Sequence, residues 1–206
     1  MTNVNLGMST GALAAGLVYL VARKGLKIYG LGIFVAPIAC VFLFAGRLFA
    51  VHSVPPYLRG GLLPLHVTAN VLGDAFFLLA AGAAALYLVQ ERQLKAKRGA
   101  SVFGRLPPLD ALDRATHVFL VGGFVPLTLG AVTGTAWISK LHIGASPEFL
   151  RVLLGYLTWL LFSSVLLLRT TLKWRGKRAA YGTLAGFACA VGVVLLYFYG
   201  AVDGAP

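Results

Sequence analysis

Six stretches of this sequence run for about twenty residues or more with almost no charge: Val4–Ala22, Ile28–Val51, Leu62–Gln90, Ala115–Ile138, Phe149–Leu168 and Ala179–Val202. That repetition limits the fold more than any other feature. A helix needs about 20 apolar residues, each rising 1.5 Å, to cross the hydrocarbon of a bilayer. In 206 residues six such crossings fit with short loops and a seventh does not. A porin-like barrel is excluded, because its strands alternate apolar and polar residues over about ten positions, whereas these runs are continuously apolar. A soluble domain is excluded by composition: 59% of residues are hydrophobic and 12% charged, with a mean hydropathy of +0.84, far more apolar surface than water tolerates. The chain is therefore expected to be all-α, a polytopic membrane helix bundle of about six transmembrane helices, forming a single transmembrane domain over residues 1–206. The first run lacks a basic segment ahead of it and carries Arg23 and Lys24 behind it, so it reads as a retained helix rather than a signal peptide.

Charge sets the orientation. The net charge is +12, yet a nucleic-acid partner is not the reading, because the cations alternate between loops. The segments holding Arg23, Lys24 and Lys27, then Arg92–Arg114, then Arg169–Arg178, carry 14 of the 18 Lys and Arg. The other side has Arg47, Arg59, Lys140 and Arg151. By the positive-inside rule the three basic segments are cytoplasmic and both termini lie outside. For a bacterial chain that means a multi-pass protein of the inner, or plasma, membrane. Attraction to anionic headgroups of the lipid bilayer follows as an unspecific consequence.

The basic stretch Arg92–Arg114 is too short to fold alone, and Asp110 or Asp113 near its end suits the cap of the fourth helix. Glycines are dense, with Gly122, Gly123, Gly130 and Gly134 in the fourth helix, where small residues let helices approach closely in lipid. Cys40 and Cys189 fall in separate spans without a CxxC or CxxCH spacing, so thiol exchange and covalent haem attachment are not expected.

Polar residues inside a bilayer are costly and mark candidate sites. His66, Asn70 and Asp74 recur every four residues and share one helical face, with His66 near the outer surface. One reading is an interhelical polar seam in which Asp74 pairs with a neighbouring helix. The other is a haem or ion site with His66 as axial ligand to iron, its second ring nitrogen held by an acceptor. His52 and His142 also fall on the outer side, in no metal-binding spacing. His117 stands four residues after Asp113, and that pair is its simpler explanation. The chain has no G-x-S-x-G, phosphate loop or H-E-x-x-H, which argues against a hydrolase or ATPase. Asp74 beside Gly73, with Pro126 in the fourth helix, leaves a small transporter as a further reading, although no internal repeat supports it.

Several strings in order carry a resemblance. They are Leu65-His66-Val67, "LYLVQERQLK" at 86–95, "LPPLDALD" at 106–113, "GGF" at 122–124, "PLTLGAVTGTAW" at 126–137, "WLLFSSVLLLR" at 159–169 and "KWRGKRAAYGTLAGF" at 173–187. From about residue 62 to 202 the chain resembles the cytochrome c assembly superfamily, the CcsA- and HemX-type integral membrane proteins, in a shortened form. "GLGIFVAPIA" at 30–39 looks like the helix that precedes this core. The resemblance implies an assembly or haem-binding protein rather than a catalyst. Haem would be the cofactor, proteins of cytochrome c maturation or haem synthesis the partners, and His66 the outer ligand. Two departures stand out. The family's tryptophan-rich loop, W-G-x-x-W-x-W-D, corresponds to "ISKLHIGASPE" at 138–148, so only Trp137 remains, with His142 as a substitute ligand. The family's histidine near the end of the fifth span corresponds to Leu167. HemX-type members also imply the alternative, a regulatory or structural membrane partner in tetrapyrrole synthesis that binds no haem and uses the basic cytoplasmic segments as its contact.

Overall fold

The computed structural model describes residues 4–33, 35–37, 39–40, 62–96, 107–138 and 147–202, and these contain helices and turns but no strand. The helices are α1 (Val4–Gly25), α2 (helical where described within residues 32–40), α3 (Leu62–Lys95), α4 (Leu109–Ile138), α5 (Pro147–Thr171) and α6 (Lys177–Val202). A 3-10 turn, Tyr29–Leu31, links α1 to α2. Three of the described helices hold segments long and apolar enough to cross a membrane: Leu65–Lys95, Leu109–Ala136 and Val152–Thr171. The protein is a helical membrane bundle.

The helices outgrow their apolar runs at the basic end. α3 continues through Gln90 to Lys95, where Lys95 Nζ donates to Glu91 Oε1 at 2.7 Å, an i,i+4 pair that supports the final turn. α4 starts at Leu109 rather than Ala115, with Asp110 in its first turn complementing the positive end of the helix dipole. α4 also passes through Pro126 without a break, and α3 passes through Gly73. Neither is the discontinuous helix that a transporter site would call for.

α3 is the centre of the bundle. α1 runs parallel to it, with Gly11 against Val71 and Ala15 against Ala75 and Leu78. The 3-10 turn folds back so that Ile28 and Leu31 are fully buried and Leu31 rests against Gly82. α4 runs antiparallel to α3 through a row of glycines. A Cβ on Gly73 would lie 3.3 Å from the Leu127 backbone nitrogen, and one on Gly123 would lie 2.9 Å from the Phe77 ring. Such contact between backbones is how helices associate where no hydrophobic effect separates protein from solvent. α5 and α6 pack in the same way, with Val165 over Gly182 and Phe162 over Gly186. Phe77 of α3 stacks on Phe162 of α5, ring centroids 3.7 Å apart and planes 10° from parallel, which ties the two halves together. Val121, Val125, Leu129 and Val132 form an exposed stripe on α4, an apolar face of the kind that lipid solvates.

Candidate functional site

The bundle has a polar cluster at each end. His66 and Tyr87, which mark them, are 21 residues apart on α3, roughly 30 Å at 1.5 Å per residue. That is about the thickness of the hydrocarbon core, so the two clusters are spaced as the two boundaries of a membrane are.

At the first boundary His66 lies across α4. Its Nδ1 is 2.9 Å from the Gly130 carbonyl oxygen and 3.3 Å from Thr133 Oγ1. The Thr133 hydroxyl donates to Leu129 O at 2.8 Å, and a carbonyl can only accept. The proton is therefore on Nδ1, and Nε2 carries the lone pair. Asn70 Nδ2 donates to the His66 carbonyl at 2.9 Å and stands 3.1 Å from Nε2. The space for both side chains comes from Gly130 and Gly134. A Cβ on Gly134 would lie 2.9 Å from His66 Cε1, and one on Gly130 would overlap Asn70 Oδ1. The small residues of α4 are thus slots for the polar residues of α3. The sequence displayed both sets but not their pairing. Gly130→Ala is expected to cost about 1–3 kcal/mol by overpacking, read as a lower midpoint of unfolding in detergent.

Asp74, a turn beyond Asn70, forms no hydrogen bond or ion pair among the described residues, so the expected pairing with a neighbouring helix is not found there. Trp137 falls in the last turn of α4, three residues after Gly134, and its side chain lies outside the described residues, as do His52 and His142. The described residues hold no group of three or more His, Cys, Asp or Glu placed for a metal ion. Leu167, at the position where the resembled family has histidine, points out of the bundle.

The second boundary corrects the expected Asp113–His117 pair. Asp113 instead joins three elements. Its Oδ2 is 3.1 Å from Arg169 Nη2 at the end of α5, its carbonyl accepts from the same nitrogen at 3.1 Å, and its Oδ1 accepts from the Gly176 backbone N–H at 2.9 Å. The Arg169 and Asp113 side chains are only 5% and 18% exposed. His117 Nδ1 is buried without a partner. The turn between α5 and α6 needs two left-handed residues, Lys173 at φ 51° and Gly176 at φ 65°, and Trp174 N–H closes it by donating to Leu168 O at 3.2 Å. A Cβ on Gly176 would also lie 2.6 Å from Tyr87 Oη. Gly176→Ala is expected to cost about 1 kcal/mol for the backbone alone, with a further steric loss that Tyr87→Phe relieves, measured as unfolding midpoints of the single and double variants. The sequence strings that carry the family resemblance meet here, contributing Tyr87, Asp113, Arg169 and Gly176.

Comparison with known proteins fits this architecture. The chain is 27% identical to the cytochrome c biogenesis protein CcsA of Guillardia theta over an alignment 219 positions long, covering 91% of this chain and 70% of that one. It is 28% identical to CcsA of Trichormus variabilis, covering 74% of this chain and 43% of that one. It is 32% identical to protein HemX of Brevibacillus brevis, covering 69% of this chain and 51% of that one. Against the Trichormus and Brevibacillus proteins, then, the chain spans only about half of the relative's length. No solved structure matches it significantly. The family model described as cytochrome c assembly protein matches residues 6–201, almost the whole chain and not only the part from His66 onward. The chain belongs to the cytochrome c assembly protein family.

Proposed function

We propose that this protein works in haem handling or cytochrome c biogenesis as a haem-binding or assembly subunit, with His66 as the iron ligand at the outer face. The observation that carries the reading is the His66 tautomer. A ring nitrogen that donates to a backbone carbonyl while the other keeps its lone pair is the arrangement of metal-ligating histidines. The names of the relatives, a cytochrome c biogenesis protein and HemX, support the same assignment. When bound, haem would supply an iron centre whose potential its ligands tune. The chain's own part is to fix the ring through the Gly130 carbonyl and Thr133, so that Nε2 carries the lone pair, with Asn70 Nδ2 beside it at 3.1 Å as a group that iron would displace. Trp137 is the aromatic residue nearest in sequence to that end of α4, and His142 is the candidate second ligand. The test is a haem titration of the detergent-purified protein followed by absorption. A saturable shift of the Soret band supports the reading, and an unchanged free-haem spectrum overturns it.

The alternative is a regulatory or structural membrane partner in tetrapyrrole synthesis that binds no haem. The leucine at position 167, where the resembled family has histidine, favours it. Partners would be met at the basic segments.

The membrane orientation belongs to the same proposal. In a bacterial inner membrane the Arg169 end faces the cytoplasm, and His66 and both termini face outward. Alkaline phosphatase fused after Pro206 is expected to be active, and a fluorescent protein fused there dark. The reverse result would put His66 on the cytoplasmic side.

A further inference from the structure

The α5–α6 turn carries a charge imbalance that the bundle does not neutralise. Among the described residues, the ends of α3, α4, α5 and α6 that meet here bring eight cations: Arg92, Lys95, Arg114, Arg169, Lys173, Arg175, Lys177 and Arg178. They bring three carboxylates, Glu91, Asp110 and Asp113. Glu91 is engaged by Lys95 and Asp113 by Arg169. Even Arg169 is only half satisfied, because its Nη1 is buried without a partner. His117 lies within electrostatic reach of Arg169, Asp113 and Arg175.

The turn is also fixed in place. Its backbone is held by Gly176 N–H to Asp113 and by Trp174 N–H to Leu168, so Lys173, Arg175 and Lys177, all exposed, project from a rigid support. α6 begins at Lys177 with no acidic residue in its first turn, and the one carboxylate at its N-terminus is that of Asp113, already bonded to Gly176 N–H and Arg169. The turn follows directly on the apolar segment Val152–Thr171. Leu172 is exposed and Trp174 half-buried, an aliphatic and an aromatic side chain of the kind that rests among headgroups.

We propose that this turn binds the phosphate of one anionic phospholipid, through Lys173, Arg175 and Lys177. The shared chemistry is a phosphate anion. The lipid is the occupant because the site opens at the end of a membrane segment, between side chains suited to acyl chains and headgroups. This is a specific site, distinct from diffuse attraction to an anionic surface.

The test uses full-length protein in neutral detergent, with native mass spectrometry reading bound lipid during titration with phosphatidylglycerol or phosphatidylcholine. One phosphatidylglycerol is expected to be retained in preference to phosphatidylcholine. Each surface cation contributes roughly a five-fold change in binding. The triple variant Lys173→Gln, Arg175→Gln, Lys177→Gln should therefore lose on the order of a hundred-fold. The variant Lys24→Gln, Lys27→Gln removes charge from the same end, away from this turn, and should stay within a few-fold of the parent. Equal losses in the two variants, or equal retention of the two lipids, would overturn the proposal. Displacement of the lipid by inorganic phosphate at comparable concentration would assign the site to a soluble phosphate and overturn it as well. If the triple variant does not fold, Arg175→Gln alone, with an expected five-fold loss, decides the matter.

Discussion

In protein titrated with haem, His66→Ala is expected to abolish the shifted Soret band, whereas Asn70→Ala is expected to keep it and to bind several-fold more tightly. The two residues stand one turn apart, and their roles at the iron are opposite. His66 offers Nε2, because Nδ1–H is committed to the Gly130 carbonyl 2.9 Å away. Asn70 occupies the approach to that lone pair, with Nδ2 at 3.1 Å. Removing the histidine removes the ligand. Removing the amide removes a competing hydrogen bond worth about 0.5–1.5 kcal/mol, so affinity should rise by roughly two- to ten-fold. The comparison separates ligation from folding, since both variants vacate the same contact between α3 and α4. An undiminished Soret shift in His66→Ala would exclude this histidine as the ligand.

The largest loss of stability is expected at the opposite boundary. Arg169→Met should destabilise the bundle by about 3–5 kcal/mol, because it strands the buried Asp113 carboxylate. Asp113 would keep only the Gly176 N–H of its contacts. Restoring neutrality should recover most of that loss. In Arg169→Met with Asp113→Leu no charge is buried alone, and apolar replacement of a whole buried pair is often close to neutral. The residual deficit then measures the loss of the bonds to Gly176 and to the Asp113 carbonyl. Unfolding midpoints of the parent, both single variants and the double variant form the cycle. A cost below about 1 kcal/mol for Arg169→Met would mean that water reaches the pair and that it behaves as a surface ion pair.

Most of the described helices were legible in the sequence because lipid imposes one local rule, continuous apolarity over a membrane's thickness; the run from Ile28 instead opens on a 3-10 turn, and beyond Cys40 it lies outside the described residues. α3 and α4 came out as expected apart from their basic-end turns, which lie beyond the apolar runs. The His66–Asn70–Asp74 face was legible for the same reason, since a polar residue in such a run needs an explanation. Partnership was less legible. Asp113 has His117 four residues away, yet it bonds to Arg169, 56 residues on. Local spacing shows which pairs are near along one helix, and says nothing of which helix packs alongside. The glycines of α4 read as small residues that permit packing, but nothing local revealed that Gly130 and Gly134 accommodate Asn70 and His66. His52 and His142 lie outside the described residues, so the outer histidines stand as proposals except for His66.

The glycine slots also determine how the site can move. Gly130 and Gly134 are one helical turn apart, matching the spacing of Asn70 and His66. A slide of α4 by a full turn, about 5.4 Å, would put Gly134 at Asn70 but Ile138 at His66, and the reverse slide would put Gly130 at His66 but Pro126 at Asn70. Only the present register sets a glycine under both side chains. The pair of slots therefore acts as a two-pin key that fixes the depth of the imidazole and keeps it on the Gly130 carbonyl that holds its proton.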